Sequence, residues 1–100
     1  MLKHIVLFKV KEFKTAEEKI SVLNKIKSDL EALKEKIDVL RFIEVGLHYE
    51  LDSPSFDIAL TTHFDSVEDL KVYADHPDHL KVVDFVRANV VARAAVDYEV

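Results

Sequence analysis

Tyr73, His76 and His79 stand close together in a Tyr-x-x-His-Pro-x-His segment, and their side chains suit acid–base chemistry. An imidazole with a pKa of about 6.5 exchanges protons near neutral pH, which suits removal of a proton next to a carbonyl group. A phenol can donate a hydrogen bond to the enolate that such a step produces. This segment is therefore the first candidate for a site that binds or transforms a small molecule.

The same segment contains several possible metal ligands, because Asp75 and Asp78 lie beside the two histidines. A structural zinc site needs four ligands that converge on one point. Pro77 is expected at the first position of a helix, so the rings of His76 and His79 should point apart. The sequence therefore predicts no metal site.

Composition excludes several classes of function. The chain has no cysteine, which excludes disulfides, thiolate metal sites and a cysteine nucleophile. Its net charge of −5 argues against nucleic acid as a partner, and its single glycine excludes the glycine-rich loops that cradle nucleotide phosphates. No leader or membrane-spanning segment is recognisable. We expect a cytoplasmic protein that needs no cofactor and binds neither nucleic acid nor membrane.

The hydrophobic pattern predicts the elements that position these residues. A run of β-branched and aromatic residues predicts a first strand, and Thr15 with Glu18 forms a capping box that predicts the start of a helix. The remaining pattern predicts two strands joined by a turn, a helix broken before Pro77 and a last strand. The predicted strands cover residues 3–11, 39–49, 56–64 and 94–100.

This order is that of an α+β, ferredoxin-like split βαβ protomer, in which a four-stranded antiparallel sheet carries helices on one face. With 49% hydrophobic residues, we expect residues 1–100 to form a single domain. The other face of the sheet is left bare. Apolar residues from the first two strands are expected there, namely Ile5, Leu7, Val39, Ile43, Val45 and Leu47. We therefore predict a homodimer in which two sheets pack face to face as a dimeric α/β barrel.

Three segments of the chain resemble one protein family. They are the first strand from His4 to Lys9, the stretch from Phe64 to His79 with its Tyr-x-x-His-Pro-x-His element, and the Asp97-Tyr98 ending. Together they resemble the stress-responsive A/B barrel family of the dimeric α+β barrel group, almost from end to end. The resemblance implies a ferredoxin-like protomer that forms a dimeric barrel and a role in stress response.

The resemblance also implies roles for individual residues. A plant polyketide cyclase of this family uses a Tyr and a His from the same element, and by motif position those roles fall on Tyr73 as oxyanion donor and His79 as general base. The implied pocket lies between the sheet and the helices. We expect it to be lined by His4, Val6, Phe8, Tyr73, His76, His79 and Asp97.

Several functions are open at this point. We expect a non-catalytic pocket for a small apolar or aromatic molecule; the alternatives are a cofactor-free lyase or cyclase and a cofactor-independent monooxygenase. A purely structural interpretation also stands. In that interpretation His76 caps a helix, His79 bonds a neighbouring backbone group or carboxylate, and Tyr73 belongs to the core.

Overall fold

A computed structural model describes residues 1–100, and its strands and helices follow the predicted order. In chain order they are β1 (Leu2–Val10), α1 (Ala16–Ala32), β2 (Phe42–Leu47), β3 (Ile58–Phe64), α2 (Val67–Asp75), α3 (Pro77–Asn89) and β4 (Val90–Glu99). The strands form one antiparallel sheet in the order β2-β3-β1-β4, which confirms the ferredoxin-like α+β fold. None of the helices is long and apolar enough to cross a membrane.

Short-range sequence signals fix where the helices begin. The Thr15 hydroxyl accepts a hydrogen bond from the backbone N–H of Glu18 at 3.1 Å, as the capping box predicts. Ser66 caps α2 in the same way by accepting from the N–H of Asp69 at 3.1 Å. Pro77 takes the first position of α3, where a missing N–H costs nothing. The orphan N–H groups that begin each helix thus receive a partner close by in sequence.

The helices cover one face of the sheet, and the hydrophobic core lies between them. On β1 this face carries Val6 and Phe8, and the pairing of Val6 with Leu60 continues it onto β3. The opposing side comes from α1, from the turn of 3₁₀ helix that follows it and from the segment that leads to β2. Its buried residues are Leu23, Ile26, Leu30, Leu33, Ile37 and Leu40. The alternation along β1 therefore decides which of its side chains meet the helices.

The pairing of β2 corrects the prediction for the bare face. Val45 is paired with Leu60 on the covered face, so Ile43, Val45 and Leu47 all point toward the helices, and Val39 lies before β2 begins. Which alternate residues of a strand face the helices depends on its register with the neighbouring strand. The hydrophobic pattern of one strand alone does not reveal that register.

The bare face is nevertheless apolar, through Ile5 and Leu7 as predicted and through residues of the other strands. Its apolar residues come from all four strands: Ile5, Leu7, Phe42, Ala59, Ala94, Val96 and Tyr98. Val96 is 56% exposed and Tyr98 is 41% exposed. This surface, named the open face below, is a continuous apolar patch of the kind that often marks a protein–protein interface.

A buried carboxylate ties the loop before β3 to the rest of the molecule. The Asp57 side chain is 3% exposed, accepts a hydrogen bond from the backbone N–H of Val10 at 2.9 Å, and pairs with Lys19 at 3.2 Å and Lys9 at 3.7 Å. Both lysines also donate to carbonyl groups of residues 51–55. These groups, named the Asp57 cluster, satisfy one another.

Candidate functional site

A cavity of about 460 Å³ lies between β1 and the helices. Nine of its 13 lining residues are hydrophobic, so its wall is mainly an extension of the core. The lining residues are His4, Val6, Phe8, Leu30, Leu60, Leu70, Tyr73, Ala74, His79, Val83, Val86, Arg87 and Arg93. This space, named the Tyr73 cavity, has the volume and the apolar character of a small-molecule site.

The fold brings together most of the residues that the sequence singled out. Five of the seven expected pocket residues line the Tyr73 cavity: His4, Val6, Phe8, Tyr73 and His79. Asp97 lies outside the lining but contacts the imidazole of His4. The seventh, His76, does not line the cavity. Residues from β1, α2 and α3 that the sequence singled out thus lie around one cavity.

Tyr73 is the most buried polar side chain of the cavity. The residue is 1% exposed, and its hydroxyl makes no hydrogen bond to any protein group. Its ring packs against Phe64, with centroids 5.1 Å apart, and against the ring of His79, with centroids 4.4 Å apart. Burial raises the pKa of Tyr73 far above that of a free phenol. The hydroxyl therefore stays protonated and is a hydrogen-bond donor without an acceptor.

His79 is held by a backbone hydrogen bond. Its Nδ1 lies 3.0 Å from the carbonyl oxygen of Ala74, and a carbonyl oxygen only accepts, so Nδ1 carries the proton. Nε2 is then left as the acceptor of the ring. Burial is the main cause that lowers the pKa of His79, and the nearby imidazoles of His4 and His76 act in the same direction, while the Ala74 bond and Asp75 oppose them. The imidazole is thus neutral at pH 7, with a free lone pair.

His4 is oriented by a carboxylate from the neighbouring strand. His4 and Asp97 are directly paired in the β1–β4 register, and His4 Nδ1 donates to Asp97 Oδ1. The His4 side chain is only 13% exposed, whereas that of Asp97 is 45% exposed. The contact fixes the tautomer of His4, because the nitrogen that faces a carboxylate must carry a proton.

The assignment of His76 to the pocket wall is wrong. His76 is the N-cap of α3, and its Nδ1 accepts a hydrogen bond from the backbone N–H of Asp78 at 3.1 Å. Because Pro77 begins the helix, the residue before it is extended and its side chain turns to the helix end. No three His, Cys, Asp or Glu side chains come together in a way that could hold a metal ion.

Sequence reasoning missed two charged residues of the cavity, Arg87 and Arg93. Arg87 follows Val83 by one turn of α3, so the helical period puts the two on one side of the helix. Arg93 has the same strand parity as Asp97, and it pairs with Phe8 on the covered face. Arg93 escaped notice because the last strand was expected to begin at residue 94, whereas β4 begins at Val90.

Comparison with known proteins identifies relatives over nearly the whole chain. A family model described as the stress responsive A/B barrel domain matches residues 2–100. A stress-response A/B barrel domain-containing protein of Arabidopsis thaliana is 36% identical over 83 residues, which are 83% of this chain and 30% of that protein. The chain therefore spans less than a third of the length of this relative.

Solved structures extend the comparison to the fold. A dimeric protein of unknown function and ferredoxin-like fold from Bacteroides fragilis is 43% identical, with a TM-score of 0.89 over 99% of this chain and 95% of that one. A hydroxynitrile lyase from Passiflora edulis is 17% identical, with a TM-score of 0.79 over 97% of this chain and 90% of that one. At this identity, the likeness to the lyase extends to the fold alone.

Proposed function

Because the chain belongs to the stress-responsive A/B barrel domain family, as its sequence predicted, we propose that it is a homodimeric protein that binds a small apolar or aromatic molecule in the Tyr73 cavity. The observation that carries this proposal is the Tyr73 hydroxyl, which is buried, lines the cavity and has no acceptor. A buried donor without a partner costs about 1–3 kcal/mol. A ligand with a carbonyl oxygen supplies the missing acceptor.

The size and wall of the cavity support a ligand of this kind. A volume of about 460 Å³ is within the usual range for small-molecule sites. Burial of an apolar ligand against the aliphatic and aromatic lining is favourable by about 25 cal/mol per Å² of apolar surface. The polar side chains are few and would fix the orientation of a ligand more than they add to its affinity.

Binding is tested with two probes that differ by one acceptor, butyrophenone and butylbenzene. We expect butyrophenone to bind the wild type more tightly, and to lose that advantage in Tyr73→Phe, because only the ketone accepts from the hydroxyl. Tyr49→Phe is the matched control, since Tyr49 is 88% exposed. Chemical-shift titration reports both affinities. If neither probe shifts the resonances of cavity residues, the proposed function is wrong.

The homodimer is proposed through the open face. The 43% identical protein from Bacteroides fragilis is dimeric, and this chain leaves Leu7, Val96 and Tyr98 exposed on one continuous surface. A stable interface needs about 800 Å² on each partner with an apolar centre. Pairing two open faces meets the second of these needs without using any cavity residue.

The dimer is tested by placing a charge on that surface. We expect Val96→Asp to raise the dissociation constant at least about a hundredfold, because an isologous interface would bury the charge twice. Val72→Asp is the control: Val72 is 52% exposed on α2, away from the sheet. Sedimentation equilibrium measures both. A wild-type protein that is monomeric at micromolar concentration contradicts the homodimer.

A second candidate function rests on the pairing of Tyr73 with His79. A neutral imidazole with Nε2 free could remove a proton next to a carbonyl group, while the Tyr73 hydroxyl donates to the enolate oxygen. This is the chemistry of a cofactor-free lyase or cyclase. We expect such an enzyme to exchange the α-hydrogens of butyrophenone for deuterium in D₂O, without oxygen, and His79→Ala to abolish the exchange while binding persists. Binding without exchange leaves the non-catalytic pocket.

A further inference from the structure

The Tyr73 cavity carries positive charge that nothing in the protein neutralises. Arg87 from α3 and Arg93 from β4 both line it, and neither takes part in an ion pair or a side-chain hydrogen bond. The third arginine of the chain, Arg41, behaves differently, because it donates two hydrogen bonds to Asp65 at 3.0 and 3.1 Å. The two unpaired arginines are thus both at the cavity.

The rest of the lining strengthens this contrast. The chain has 19 acidic residues and a net charge of −5, yet no Asp or Glu is among the 13 residues that line the cavity. Asp97, which pairs with the lining residue His4, lies outside the lining and is already bonded to that imidazole. An acidic protein therefore surrounds a cavity whose only permanent charges are positive. A cation would find no counter-charge there, and an anion would find two.

The two arginines reach the cavity from different elements. Arg93 pairs with Phe8 across β1 and β4, and Arg87 follows Val86 on α3. Both also line a second cavity of about 240 Å³ beside the first, so they stand where the two spaces adjoin. Both residues are exposed, whereas Tyr73 is buried, so the charged groups lie at the rim and the hydroxyl lies inside.

We propose that the ligand of the Tyr73 cavity is amphipathic, with an apolar or aromatic body inside and a carboxylate group that Arg87 and Arg93 bind at the rim. This inference rests on the proposed function and names the chemical class of its ligand. A planar guanidinium donates two parallel hydrogen bonds to a carboxylate, which gives both affinity and direction. Because the arginines come from two elements, a carboxylate between them also joins α3 to β4.

The test uses three probes with the same body and different head groups: 4-butylbenzoate, 4-butylbenzyl alcohol and 4-butylbenzylamine. We expect the benzoate to bind about tenfold more tightly than the alcohol, since a hydrogen bond to a charged group is typically worth that factor or more. The amine should bind most weakly. Isothermal titration calorimetry at pH 7 measures all three affinities on the full chain.

Substitution of the arginines provides the second arm of this test. We expect the double variant Arg87→Gln with Arg93→Gln to lose the preference for the benzoate and to keep the affinity for the alcohol. Arg41→Gln, which removes an arginine away from the cavity, should change neither affinity. Raising the salt concentration should weaken binding of the benzoate in the wild type and leave that of the alcohol unchanged.

The outcomes separate the two proposals. If the alcohol and the benzoate bind equally well, or if the double variant keeps the preference, the carboxylate inference is overturned and the cavity remains a site for neutral molecules. If no probe binds, and butyrophenone also fails, the proposed function falls and this inference falls with it. A tenfold preference that disappears in the double variant, with the alcohol unaffected, supports both.

Discussion

The Asp57 cluster and the Tyr73 cavity both bring polar side chains to the edge of the core, but they treat them in opposite ways. In the Asp57 cluster the carboxylate has a backbone donor and two lysine partners, and both lysines donate to carbonyl groups as well. In the cavity the Tyr73 hydroxyl has no acceptor.

The difference separates a structural site from the proposed site for a ligand. A polar network whose members satisfy one another holds the chain in one arrangement, because every alternative leaves a charge or a hydrogen bond without a partner. A polar group that stays unsatisfied in the folded chain weakens it unless something else binds there. The Asp57 cluster therefore belongs to the fold, and the unsatisfied hydroxyl is what makes the Tyr73 cavity the proposed ligand site.

The largest effect on stability is expected from a substitution that breaks the Asp57 cluster. Asp57→Ala should destabilise the fold by about 3 kcal/mol, because it leaves the N–H of Val10 without an acceptor and two partly buried lysines without their counter-charge. Asp57→Asn should lose less, since an amide oxygen still accepts from Val10. Urea unfolding measures both, with Asp52→Ala in the exposed part of the loop as control. If Asp57→Ala is as stable as the control, the cluster is no structural anchor.

A substitution in the Tyr73 cavity is expected to change stability in the opposite direction. Tyr73→Phe should stabilise the ligand-free protein by about 1 kcal/mol, because it removes a buried hydroxyl that has no partner and keeps the ring. Tyr49→Phe, at an exposed tyrosine, should leave the midpoint of urea unfolding unchanged. A loss of stability in Tyr73→Phe would mean that the hydroxyl is satisfied in the native protein, and the contrast between the two sites would disappear.

The features that sequence predicted well are local ones. The N-cap at Thr15 and the helix start at Pro77 depend on residues within one turn, so a pattern of a few letters contains them. Tyr73 and His79 are also close in sequence, and both line the same cavity.

The features that sequence missed depend on pairing between distant segments. Ile43, Val45 and Leu47 were assigned to the open face, yet the register that joins Val45 to Leu60 turns them toward the helices. Arg93 became a cavity residue through its pairing with Phe8, which lies 85 positions earlier in the chain. Neither pairing can be deduced from one segment alone. The fold class was therefore predicted correctly, while the face of the sheet on which some residues lie was not.

The smallest effect expected is a pH dependence that belongs to His79. Its pKa is lowered in the folded state, mainly by burial, so the unfolded chain binds a proton at a higher pH than the folded one. The stability that the neutral ring contributes is thus fully present above about pH 6.5, the pKa of an unfolded histidine, and falls as the pH drops from there to the lowered value. Urea unfolding at pH 7.5 and pH 5 measures this loss.

Substitution isolates the part of that loss due to His79. His79→Gln should keep a donor near the carbonyl of Ala74 and should lose less stability between pH 7.5 and pH 5 than the wild type, because glutamine does not titrate. His48→Gln, outside the cavity, should keep the wild-type loss. If His79→Gln also keeps it, the ring is solvated in the folded state and the cavity is wetter than its apolar wall implies. A smaller loss instead means that charging the buried ring of His79 accounts for part of the acid destabilisation of the wild type.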